Sequence, residues 1–229
     1  MTAGTRDPGS GMWQETSLHT SRIPSPMSQL YLITDRSQTN GKSLHDVVQQ
    51  ALSGGCRAVQ LREKGLPDEE LMQLAMDIRQ LTLHYGAKLL ISRSCDICLA
   101  VDADGVHLGA AGESISSARN KLGHSRLIGY SAHSIDEALR AEQAGADFIT
   151  FSPVFHTPSK ALFGPPVGLD ALRDACDRLQ RPVYALGGIK TENIAEVMAC
   201  GAAGIAMISA IIAADDPASQ TAMILKAMR

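Results

Sequence analysis

The residues whose types and spacing could do chemistry fall in five short stretches of the 229-residue chain, and most of them suit an anion. Two adjacent glycines, Gly187 and Gly188, follow the apolar run Val183-Tyr184-Ala185-Leu186, and Ile208-Ser209 follows Gly204-Ile205-Ala206-Met207. Glycine lets the main chain approach a ligand without a Cβ in the way, and a helix opening after such a turn adds about half a positive charge. A phosphate is therefore the expected occupant of these two turns. In Gln60-Leu61-Arg62-Glu63-Lys64, the alternation of an extended segment sends Gln60, Arg62 and Lys64 to one side. An amide, a guanidinium fork and an ammonium together suit phosphate or carboxylate. Thr157, Ser159 and Lys160 would add hydroxyl donors and a charge from a long loop punctuated by Gly164-Pro165-Pro166.

One further stretch suits proton transfer rather than anion binding. Ser134 is a candidate helix N-cap with Glu137 at the capping-box position, so Ser131 and His133 are expected on the loop just before a helix. A histidine at position 133 is a side chain of the type that serves as general acid and base. His107, by contrast, sits inside an apolar run and is expected as a hydrogen-bonded core histidine.

Elements that could position these groups are legible as eight alternations of a short apolar run with a helical pattern. The runs are Leu30 to Thr34, Ala58 to Leu61, Lys88 to Ile91, Gly105 to Leu108, Leu127 to Tyr130, Phe148 to Phe151, Val183 to Leu186 and Gly204 to Met207. Helical stripes follow each, for example Leu71, Leu74, Ala75, Ile78 and Leu81 within Pro67 to Tyr85. Eight such units at a spacing of about 25 residues predict a single (β/α)8 TIM barrel, in which functional groups lie past the C-terminal ends of the strands. Residues 1–27, rich in Gly, Ser, Thr and Pro, read as a disordered extension, with Met12 and Met27 as candidate starts; the barrel is expected over 28–229.

Composition narrows the function classes. With 21 basic and 24 acidic residues the net charge is −3, which leaves no electrostatic footprint for nucleic acid. No apolar run reaches the roughly 18 residues that span a bilayer. Five scattered cysteines suit reduced thiols in a cytoplasm, and Cys95 and Cys98, one helical turn apart without a second pair, are expected to pack as small hydrophobes.

Six motifs in order resemble the thiamin phosphate synthase and TenI superfamily over Leu30 to Arg229. They are Tyr31-Leu32-Ile33-Thr34-Asp35, Gln60 to Lys64, Asp104-Gly105-Val106-His107-Leu108-Gly109, Tyr130-Ser131-Ala132-His133-Ser134, Val154 to Lys160 and Gly187-Gly188-Ile189. The resemblance implies a barrel whose synthase members join a pyrimidine pyrophosphate to a thiazole phosphate, with Mg²⁺ on the leaving pyrophosphate. Those synthases carry Asn-Asp-Arg after the third strand and a second metal-binding Asp after His-Leu-Gly. Ser92-Arg93-Ser94 and Ala110-Ala111-Gly112 stand in those places here, with Glu113 one residue beyond. Mg²⁺ depends on carboxylate and phosphate oxygens, so a site with Arg93 should hold it poorly.

The resemblance therefore implies the TenI branch: a metal-independent thiazole tautomerase, an isomerase that aromatises a carboxythiazole phosphate. His133 would be its acid and base, with Gln60, Arg62 or Lys64 facing the carboxylate. Thr157, Ser159, Gly187, Gly188, Ile208 and Ser209 match positions that hold the thiazole phosphate. No cofactor is expected, Mg²⁺ entering only under the alternative of a synthase, which Gln60, Lys64 and Lys160 keep open. A non-catalytic thiazole-phosphate-binding protein is the second alternative. The expected partner is a small thiazole phosphate, with no nucleic acid or membrane, and a homo-oligomer is left open.

Overall fold

Strands buried on both faces must be apolar along their whole length, and the eight apolar runs become eight parallel strands for that reason. In the computed structural model, which describes residues 27–157 and 165–229, they are β1 (Leu30–Ile33), β2 (Ala58–Leu61), β3 (Lys88–Ser92), β4 (Gly105–Leu108), β5 (Leu127–Ala132), β6 (Phe148–Phe151), β7 (Val183–Leu186) and β8 (Gly204–Met207). Each pairs with the next, and β8 returns to β1 through Tyr31 opposite Ala206, so the sheet closes. The helices are α1 (Leu44–Ser53), α2 (Asp68–His84), α3 (Cys95–Ala100), α4 (Ile115–Leu122), α5 (Ile135–Gln143), α6 (Gly168–Arg178), α7 (Ile194–Ala199), α8 (Ser209–Ile212) and α9 (Pro217–Ala227). The chain is a single (β/α)8 barrel. Residues 1–26 of the expected extension lie outside the described residues.

Local chemistry starts the helices where the sequence suggests. The hydroxyls of Ser43, Ser94, Ser114 and Ser134 each accept the amide three residues on, at the heads of α1, α3, α4 and α5. At the lower rim one device is used twice. Asp104 accepts the amide of Leu89 at 2.9 Å and the guanidinium of Arg79 at 2.7 Å. Asp147 accepts the amide of Ile128 at 2.8 Å and Arg119 at 2.6 Å. Each carboxylate thus ties the start of one strand to its neighbour and to a helix.

Alternation sends one set of side chains into the barrel and the other against the helices. Inside, Tyr31, Phe148 and Tyr184 are fully buried and meet edge to face, with ring centroids 5.7 Å apart for Tyr31–Phe148 and for Phe148–Tyr184. Room for this cluster comes from Gly129: a Cβ there would collide with the Phe148 ring and the His107 imidazole. Outside, Leu30, Leu32, Val59, Leu89, Ile91 and Val106 join the helices in one continuous core. Cys95 and Cys98 are buried in that core as packing residues, and the Cys98 thiol donates to the Gly105 carbonyl at 3.3 Å.

Several strand ends differ from the sequence reading: β1 stops at Ile33 and β3 reaches Ser92. β5 runs on to Ala132, so Ser131 is an inward-facing strand residue rather than a loop residue. The segment after β7 begins with a tight helical turn, Thr191–Asn193, before α7. Among the described residues no helix is long and apolar enough to cross a membrane.

Phe148→Ala would empty the centre of the aromatic cluster, where barrel closure prevents collapse. The expected loss is about 3–5 kcal/mol of unfolding free energy, read from the denaturant midpoint against wild type.

Candidate active site

Above the aromatic cluster the barrel interior turns polar. His107, buried on β4, is held at Nδ1 by the Tyr31 hydroxyl at 3.3 Å and at Nε2 by Ser131 Oγ at 3.0 Å and Thr150 Oγ1 at 3.2 Å. Burial first, and the Arg62 charge second, bring its pKa down to about 3, so the imidazole is neutral under ordinary conditions. Its expected role as a core histidine is met, yet it also forms the floor of a cavity of about 180 Å³.

That cavity gathers Gln60, Arg62 and Lys64 from the end of β2, as the alternation predicts, and adds Ser92 and Arg93 from the end of β3. Glu63 points elsewhere. It is buried, with Oε1 accepting the Thr34 hydroxyl at 2.6 Å and Oε2 accepting the Arg36 amide at 2.9 Å. Burial raises its carboxyl above the usual range. The Thr34 oxygen also accepts the Arg62 amide at 3.0 Å, so one carboxylate knits the ends of β1 and β2 and sets the backbone from which Arg62 projects. Burial lowers the pKa of Arg62, and the neighbouring Arg93 charge lowers it further, against the opposing pull of Asp35.

A second cavity, of about 360 Å³, lies over β7 and β8 and contains Thr157, Gly187, Gly188, Ile208 and Ser209 in its wall. Gly187 and Gly188 have φ of 99° and 65°, the left-handed region that glycine enters without steric cost. A Cβ on Gly188 would stand 2.7 Å from the His156 carbonyl and from Phe155 Cβ. His156 and Lys190 complete the wall, and neither was singled out from the sequence; Lys190 directly follows Gly188-Ile189, the one signal that pointed to it. Ser159 and Lys160 lie outside the described residues. The two cavities share Leu186 and Ile208.

His133 is not brought together with either set. It lines neither cavity; its Nδ1–H donates to the Ser152 carbonyl at 2.7 Å and its amide to Glu137 Oε2 at 2.8 Å.

The chemistry of the donor set decides whether Mg²⁺ fits. Ser92, Arg93 and Gly112 supply no carboxylate, and among the described residues no three His, Cys, Asp or Glu side chains come together. Glu113 accepts the Ser117 hydroxyl at 2.6 Å and pairs with Lys121 at 3.0 Å, and Ser117 first, then Lys121 and Cys95, hold its pKa down to about 2. It belongs to a separate hollow against Tyr130 and Glu137. Three cations and no carboxylate do not fit a hard divalent ion.

Fold and site together define a (β/α)8 barrel whose polar side chains converge from several strand ends on two joined cavities. The sequence profile described as Thiamine monophosphate synthase matches residues 30–211, and the chain belongs to that family, one of enzymes in thiamine biosynthesis. A protein of Geobacter sulfurreducens provisionally named a thiamine-phosphate synthase is 54% identical over 196 residues, 86% of this chain and 92% of that protein. A thiamine-phosphate synthase of Clostridium novyi is 43% identical over 188 residues, 82% of this chain and 92% of that protein. The solved thiamine phosphate pyrophosphorylase of Pyrococcus furiosus superimposes with a TM-score of 0.81 at 38% identity, covering 87% of this chain and 95% of that one.

These findings correct the expected tautomerase. Relatives at this level of identity carry the name of the transferase, and the superfamily alone, without its TenI branch, is supported.

Two outcomes test the site as built. Gly188→Val forces a branched side chain into φ 65° against Phe155. Inorganic phosphate titrated calorimetrically should then bind on the order of tenfold more weakly, or not at all. His107 has a folded pKa depressed from 6.5 to about 3, so the unfolded chain binds the extra proton between those values. Its contribution to stability is complete above 6.5 and is lost as pH falls toward 3; His107→Gln should show a shallower decline by about one proton over that window in urea titrations.

Proposed function

We propose that the protein is a thiamine-phosphate synthase, a transferase that joins a pyrimidine pyrophosphate to a thiazole phosphate. The observation that carries this reading is the pair of anion-suited cavities meeting at Leu186 and Ile208. Two anionic substrates need two charge-matched sites, and their reacting ends must meet at the boundary between them. Membership of the family and the names of the relatives at 38–54% identity support the same assignment.

In this reading Gly187, Gly188, Thr157 and Ser209 hold the thiazole phosphate, with Ser159 and Lys160 reaching it or its partner from the loop. Gln60, Arg62 and Lys64 face the pyrophosphate, and Ser131 with the neutral His107 offers hydrogen bonds to the pyrimidine end. The thiazole ring nitrogen uses its lone pair to form a C–N bond to the pyrimidine methylene. The C–O bond to pyrophosphate breaks, and its electron pair leaves with the oxygen. No proton need be moved at the new bond, so the chain's work is alignment and stabilisation of the negative charge that grows on the leaving group. A neutral His107 suits this arrangement, since it supplies a floor without adding a competing charge. All five thiols are buried, which suits a reducing cytoplasm.

Incubating the full chain with both substrates should give thiamin phosphate and pyrophosphate in equal amounts, with neither substrate sufficient alone. If a folded protein that binds both substrates forms no thiamin phosphate, with Mg²⁺ or with a chelator, the assignment is wrong.

A further inference from the structure

The smaller cavity is lined by cations, and no carboxylate stands in its wall. Arg62, Lys64 and Arg93 share its wall, and none of the three makes an ion pair with a described carboxylate. The two carboxylates nearest in sequence lie outside that wall and favour the charged Arg62 from there: Glu63 is bonded to the Thr34 hydroxyl and the Arg36 amide, and Asp35 to the amide of Ser37 and the amide group of Gln38. Like charges gathered around a small cavity repel each other unless an anion enters, and they repel a divalent cation in any case. Burial, and after it the Arg93 charge, work against protonated Arg62 and outweigh the pull of Asp35 and Glu63; an anion between Arg62 and Arg93 would oppose that cost.

Arg93 is held to this arrangement by its backbone. It is one of three described non-glycine residues with positive φ, at 65°, a region that arginine enters only with strain. Its amide donates to the His107 carbonyl at 3.1 Å, and the Ser94 amide closes the turn onto the Ser92 carbonyl at 2.9 Å. Strain of this kind persists where the surroundings over-determine it, and it concentrates at functional sites. A Cβ on Gly112 would lie 3.8 Å from Arg93 Cγ, so the two positions that lack the expected carboxylates face each other, with the arginine stem beside the gap.

We propose that Arg93 takes the place of a divalent metal: with Arg62 and Lys64 it binds the pyrophosphate group directly, and the transfer in this chain requires no divalent cation. The proposal rests on the synthase reading and deepens it. A guanidinium offers paired N–H donors in a fixed fork and keeps its charge at every working pH, so it can meet two phosphate oxygens as a metal would. As the methylene C–O bond breaks, the electron pair passes to the bridging oxygen, and the three cations stabilise the charge that accumulates there. No proton, oxidant or further reactant is needed.

Inorganic pyrophosphate titrated calorimetrically into the full chain in excess chelator is the direct test. The expected result is saturable binding that added Mg²⁺ does not strengthen. Arg93→Asn, chosen because asparagine tolerates the left-handed region, should weaken that binding on the order of 10- to 100-fold while leaving inorganic phosphate at the glycine cavity unchanged. Pyrophosphate binding that appears only with Mg²⁺, or that survives Arg93→Asn undiminished, overturns the proposal. Assaying both substrates in chelator separates it from the synthase reading. Thiamin phosphate formed without metal supports both, whereas product formed only with Mg²⁺ sinks the metal-free proposal and leaves the synthase standing. Metal-free, Arg93-dependent pyrophosphate binding with no product under any condition removes the synthase reading and keeps the anion site.

Discussion

Closure of the parallel sheet is the constraint on which everything else depends. Because β8 pairs back onto β1, no strand has a free edge, and the carboxyl ends of all eight strands open on one rim. Residues far apart in the chain, such as Arg62, Arg93, Ser131 and Ile208, are neighbours for that reason alone. Closure also fixes the interior volume. Tyr31, Phe148 and Tyr184 fill the lower part, and the glycine at 129 is dictated by the Phe148 ring beside it. Above them the polar layer of His107, Ser131 and Thr150 satisfies its own hydrogen bonds, so the cavity floor is rigid before any ligand arrives.

Charge at the rim is distributed with an economy that the net value of −3 conceals. Carboxylates at the lower rim, Asp104 and Asp147, are spent on holding strand starts to helices. Glu63 at the upper rim is spent on tying β1 to β2. The cations of the first cavity are left facing solvent space. A chain with a slight excess of acidic groups therefore presents a locally basic hollow, and whole-chain charge says little about the chemistry of a single site.

Nearly all of the fold was legible because strands sandwiched between barrel interior and helices must be apolar runs, and the serine caps mark where helices begin. Ser131 was misplaced because the upper interior layer of a barrel is polar, so the end of β5 reads as loop. Gln60, Arg62 and Lys64 were found together, since period-two alternation is a backbone property that tertiary packing did not alter. Thr157, Gly187, Gly188, Ile208 and Ser209 were found for a similar reason: turn geometry is local. What failed was the inference from a missing metal site to a missing reaction. Ser92-Arg93-Ser94 was read as a loss, while charge stabilisation can be supplied by a guanidinium as well as by an ion. For His133 the sequence shows a histidine near the mouth, but not that its Nδ1 is tied to the Ser152 carbonyl.

Leu186 and Ile208 belong to both cavities at once. A shared wall makes the two pockets poor candidates for independent change, because a bulkier side chain there intrudes on one neighbour as it relieves the other. It also brings the pockets within reach of a single molecule. A tethered compound with an anionic group at each end would gain from effective concentration what neither half achieves alone, provided its linker passes over Ile208 without strain.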